Sequence, residues 1–192
     1  MRTTAPGWVW RALLGLLLGA AGAFAHEIPS DVTVRLLAKP AGERFQLLVR
    51  VPLSSMRDHE FPALRSGYLD VETLGPQLPE LATQWIASYV EIYEDGERLG
   101  APRVAATQVS ILADRSFASF DQALRRVREP LPPNEENLVW EQVHFDVLLE
   151  YPIRSEDSAF AIRPRLEHLA ADVTTSLAFH TPGGQVRAYQ LH

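Results

Sequence analysis

The chain has 192 residues and a formal net charge of −6, from 18 basic and 24 acidic residues. That balance argues against nucleic acid and anionic lipid headgroups as partners. It has no cysteine, which excludes disulfides and thiolate metal sites and leaves stability to packing.

Residues 1–25 have the layout of a cleaved secretory signal. Arg2 and Arg11 supply positive charge around an uncharged run rich in Leu, Ala and Gly, and Ala23-Phe24-Ala25 is a small-x-small cleavage site. The uncharged stretch of about 14 residues is shorter than the roughly 20 that cross a bilayer. Cleavage after Ala25 would make His26 the first mature residue and leave residues 26–192 as a single extracytoplasmic domain. The expected location is the periplasm or the outer face of the inner membrane. Both signal arginines leave and no acid does, so the mature net charge is near −8, with 16 basic against 24 acidic residues.

Along the chain, residues 31–38 and 44–51 alternate as strands around a Pro-Ala-Gly turn. Phe45, Leu47, Val49 and Val51 share one face. Residues 52–67 lose periodicity and read as a long loop or a short helix, followed by a short edge strand over 67–71. Residues 79–87 read as a helix, with Pro79 in its first turn. Strands follow at 89–93 and 103–112, separated by the Asp95-Gly96 turn. Residues 116–127 place Phe117, Phe120, Leu124 and Val127 at helical spacing, with Asp114 or Ser116 as the cap. The longest strand is expected over 138–151. Shorter strands lie at 159–163, 172–180 and 185–192, the last two joined by Thr181-Pro182-Gly183-Gly184. About eight strands and two short helices make the chain mainly β. The expected architecture is an antiparallel, Ig-like β-sandwich with one or two short helical insertions.

No catalytic motif is present. Gly-x-Ser-x-Gly, a Walker loop and His-Glu-x-x-His are all absent, and the expectation is a protein that is not an enzyme. Candidate metal ligands are His26, His59 and His144, for a nickel, cobalt or copper ion. His26 at a mature N-terminus would offer its α-amine and its ring together, ligands that Cu(II) favours. His59 sits in the run Met56-Arg57-Asp58-His59-Glu60, which reads more simply as a solvated loop. His144 shares a strand face with Asp146, a pair that reads more simply as a polar outer sheet face. His168, His180 and His192 read as surface residues.

Several stretches together resemble a known family. They are His26-Glu27-Ile28-Pro29-Ser30-Asp31-Val32, Leu47-Leu48-Val49-Arg50-Val51-Pro52-Leu53 with Met56-Arg57-Asp58, and Gly67-Tyr68-Leu69-Asp70. With them go Asp114-Arg115-Ser116-Phe117-Ala118-Ser119-Phe120, Glu150-Tyr151-Pro152-Ile153-Arg154-Ser155 and Thr181-Pro182-Gly183-Gly184. The pattern is similar to the exported amino-terminal region of HupE/UreJ-like membrane proteins. The resemblance implies an extracytoplasmic domain whose partner is a membrane permease part absent from this chain, assisting nickel or cobalt uptake. Two alternatives stand beside it: a free periplasmic copper- or nickel-binding protein using His26, and a metal-free protein-interaction domain. No small-molecule substrate is evident.

Overall fold

A computed structural model describes residues 31–191. The signal segment, His26 and His192 lie outside the described residues.

Strands β1 (Asp31–Ala41) and β2 (Arg44–Pro52) form the expected hairpin, paired from Arg35 with Arg50 to Ala41 with Arg44. Gly42 takes a φ of 60° at the turn, where a side chain would be strained. The edge strand expected over 67–71 is not formed. Asp70 instead caps helix α1 (Val71–Leu74), accepting hydrogen bonds from the Thr73 N–H (3.2 Å) and hydroxyl (2.8 Å). Asn134 clamps this cap, donating to Asp70 (3.1 Å) and accepting from the Val71 N–H (2.8 Å). Only an isolated bridge between Ala63 and Leu69 remains of the strand.

Helix α2 (Leu78–Trp85) carries Pro79 in its first turn, as expected. It leads into β3 (Val90–Glu94), β4 (Glu97–Arg98) and β5 (Arg103–Ile111). Helix α3 (Phe120–Val127) starts later than its hydrophobic spacing predicts. Ser119, not Asp114 or Ser116, is the N-cap, because residues 116–118 form a separate 3-10 turn. Strand β6 (Val143–Pro152) is also shorter than expected, since residues 140–142 turn before it begins. The chain closes with β7 (Phe160–Pro164), β8 (Asp172–His180) and β9 (Val186–Leu191).

The fold is mainly β, in two mostly antiparallel sheets. The larger has the order β5-β6-β2-β1-β8-β9 and the smaller β4-β3-β7. One pairing, β1 with β8, is parallel. The small sheet and α2 pack on one face of the large sheet. That core holds Val34, Leu36, Leu47, Val49, Phe145 and Val147 with Ile92 and Leu81. Burial of this apolar face is the main source of stability, at roughly 25 cal/mol per Å².

The other face of the large sheet differs from the expected polar exterior. Leu37, Leu48 and Leu148 form a second core there with Phe117, Phe120, Ala123 and Val127. Helix α3 therefore caps strands β1, β2 and β6 from outside. The central strands are covered on both faces, so the polar side chains they carry on this side are buried too.

Candidate functional site

His144 and Asp146 lie on this second face, and Asp146 is fully buried. The reason is Arg50, its neighbour across the β2–β6 pairing. Arg50 Nε donates to Asp146 Oδ1 and Nη2 to Oδ2, both at 2.7 Å, in a two-pronged ion pair. Ser110 donates its hydroxyl to Asp146 Oδ2 at 2.7 Å. Arg50 also donates to the Asp114 carbonyl and carboxylate at 2.9 Å, and its guanidinium lies 4.2 Å from the centre of the Phe117 ring. Arg126 of α3 donates to Asp114 Oδ2 at 3.2 Å. The network thus ties β2, β5, β6, the 3-10 turn and α3 together.

Burial pushes the Asp114 carboxyl up. Hydrogen bonds from the Ser116 hydroxyl and N–H and from Arg50 outweigh this and hold it down at about 2. Protonating Asp114 must therefore cost native stability. A depressed carboxyl contributes stability that is complete above its unfolded value near 3.8 and is lost as pH falls towards about 2. The melting temperature is expected to fall across that interval in the native chain. In Asp114→Asn it should start lower and decline less steeply; parallel pH profiles for the two proteins would refute the assignment.

A second polar group lies further along β6, beside Arg128 at the C-terminal end of α3. Glu150 accepts hydrogen bonds from Arg44 (2.6 Å), Arg103 (2.5 Å) and Gln46 (3.2 Å). Both groups are satisfied within the protein. Neither presents a free reactive atom to solvent, and their evident work is to fix strand register and seat the helix.

The candidate metal ligands fare differently from one another. The 56–60 run divides: Met56 enters the core, Asp58 and Glu60 are exposed, and His59 is half-buried against Phe61, ring centres 4.8 Å apart. His59 Nε2 and His144 Nδ1 are buried without a hydrogen-bond partner. Burial, then the Arg50 charge, lowers the His144 pKa and keeps the ring neutral. Among the described residues, no three His, Asp or Glu side chains are grouped to hold a metal ion. His168 is stacked on Tyr89 at 3.8 Å, and His180 lies 5.5 Å from Phe120.

One feature of the surface is not foreshadowed by the sequence. A cleft of about 570 Å³ runs between β7 and the β8–β9 hairpin. Phe160, Ile162, Leu177, Phe179, Tyr189 and Leu191 supply its apolar walls, with Asp157 and Arg187 among its polar lining. It arises because the small sheet covers the large one only in part. Strands β7 and β9 are each the outermost strand of their sheets. Tyr189 and Leu191 are left 49% and 39% exposed.

One wall of the cleft is firmly held. Glu94 is buried and accepts hydrogen bonds from the N–H groups of Arg154 (2.9 Å) and Ser155 (3.1 Å) and from the Ser158 hydroxyl (2.9 Å). Asp95 accepts from the Ala159 N–H (2.9 Å), and Glu156 from the Gly42 N–H (2.6 Å). The cleft is therefore shaped before anything enters it. A carboxylate lodged among N–H groups, such as Glu94, is not distinguishable in sequence from an ordinary strand-end acid.

Among the described residues, no helix is long and apolar enough to cross a membrane. Compared with known proteins, the chain matches no family model and no curated protein.

Proposed function

We propose that the chain is a non-catalytic binding domain working outside the cytoplasm, and that it takes up an extended segment of a protein partner in the cleft between β7 and β9. One observation carries this reading: a preformed apolar cleft flanked by two free strand edges. Apolar walls supply pockets for alternate side chains, and an unpaired edge supplies main-chain hydrogen bonds. The resemblance to the exported region of HupE/UreJ-like proteins supports the same reading and names a membrane permease part as the partner. The signal-like residues 1–25 support the location.

The test is a photo-crosslinking residue at Tyr189, made in cells that produce the protein. A discrete adduct with another protein is expected at 189 and not at Arg65, which lies outside the cleft. Equal labelling at both positions would refute the reading.

A further inference from the structure

An exposed sheet edge invites pairing with another strand, and proteins defend such edges with bulges, prolines, charges or covering elements. Three of the four edges here carry a defence. Strand β5 has a bulge between Val104 and Ala106, and Gln108 on it donates to the Glu129 and Pro130 carbonyls just beyond α3. Strand β4 is two charged residues long, and β7 carries Arg163 and ends on Pro164. Among the described residues, strand β9 has no bulge, proline or covering element, and its one charge is Arg187. All six of its residues, Val186-Arg187-Ala188-Tyr189-Gln190-Leu191, are exposed, without proline, lysine or carboxylate.

The β8–β9 turn fixes which backbone groups are free. Thr181 N–H donates to the Gln185 carbonyl and Gly184 N–H to the Thr181 carbonyl, both at 2.9 Å, with Gly184 at a φ of 81°. Antiparallel pairs alternate between bonded and non-bonded. Counting from this closed pair, Arg187, Tyr189 and Leu191 bond to β8. Val186, Ala188 and Gln190 turn their N–H and C=O groups outwards.

We propose that β9 is the interface for a second copy of this chain, pairing antiparallel with itself about a two-fold axis at Ala188. In this register Ala188 meets the partner's Ala188, so the axis is uncrowded. Arg187 lies opposite the partner's Tyr189, a cation beside an aromatic ring, and this contact occurs twice. Sliding by two residues one way sets Arg187 against the partner's Arg187, which repels. Sliding the other way leaves two hydrogen-bonded pairs in place of three. The chain is acidic as a whole, yet this edge bears no carboxylate, so two copies approach here with the least repulsion. Five paired residues on each strand make a small interface, below the roughly 1,200 Å² of stable complexes, so the dimer is weak and concentration-dependent.

This inference rests on the β8–β9 hairpin being a binding surface. Sedimentation velocity on the purified chain, from low to high micromolar concentration, should show a monomer–dimer equilibrium. Ala188→Glu places two like charges against each other at the axis while leaving an already exposed site. It should abolish the dimer with an unchanged melting temperature. Because the chain has no cysteine, Ala188→Cys should oxidise to a disulfide-linked dimer at least tenfold faster than Ile111→Cys, an exposed site on β5. A monomer at every concentration, a dimer indifferent to Ala188→Glu, or equal oxidation rates at 188 and 111 would each overturn the proposal. If it falls while Tyr189 still crosslinks a different protein, the binding-domain reading stands; if both fail, that reading falls as well.

Discussion

Arg50→Met is expected to lower the unfolding free energy by about 3–5 kcal/mol, because it leaves a buried charge without its partner. Asp146 is fully buried and has two bonds from Arg50 and one from Ser110. Methionine fills much of the space but donates nothing. The Asp114 carboxylate would keep Arg126 and Ser116, so most of the loss falls on Asp146. The double variant Arg50→Met/Asp146→Leu should recover most of the loss, since no buried charge is then left alone. Urea unfolding of the two single variants and the double gives the coupling directly. A cost below about 1 kcal/mol for Arg50→Met would show that water reaches Asp146 and that the pair does not organise this face.

The sequence carried part of this. Alternation in residues 44–51 is strict enough to assign β2 and its inward face. Leu48 breaks the pattern on the opposite face, as Leu148 does on β6. These two residues signal that both faces are covered, and a charge such as Arg50 beside them then requires a buried partner. Which partner was not legible, because Arg50 and Asp146 meet only once the register of β2 against β6 is set. The stretches that resemble a known family contain Arg50, Asp114, Ser116, Phe117 and Glu150. The structure gathers these beside α3, where Arg126 meets Asp114 and Arg128 meets Glu150. Residues 67–71 have a strand-like composition, and the cap that overrides it is completed by Asn134, distant in sequence. The cleft was invisible for a different reason. It comes from two strands lacking neighbours, and β8 and β9 alternate like any other strands.

Phe45→Ala should cost about 3–5 kcal/mol, the range for emptying a buried aromatic site. Phe45 is fully buried on β2, and its ring reaches three others. Its centre lies 4.9 Å from Phe160 on β7, 6.2 Å from Phe179 on β8 and 6.5 Å from Tyr151 on β6. Phe160 and Ile162 pack β7 against the core, and both Phe160 and Phe179 also line the cleft. Truncation therefore removes the support under the cleft as well as core volume. The loss should be local in a measurable way: amide exchange should accelerate more in β7, an edge strand anchored through Phe160, than in β6, which has neighbours on both sides. Phe45→Leu, which keeps most of the apolar volume, should lose less than half as much. A uniform rise in exchange across both sheets would mean that Phe45 supports the whole fold and not the joint between β7 and β8. In that case the cleft would be no more than a by-product of sheet packing. A rise confined to β7 would instead show that Phe45 holds this wall of the preformed cleft in place while the large sheet stands without it.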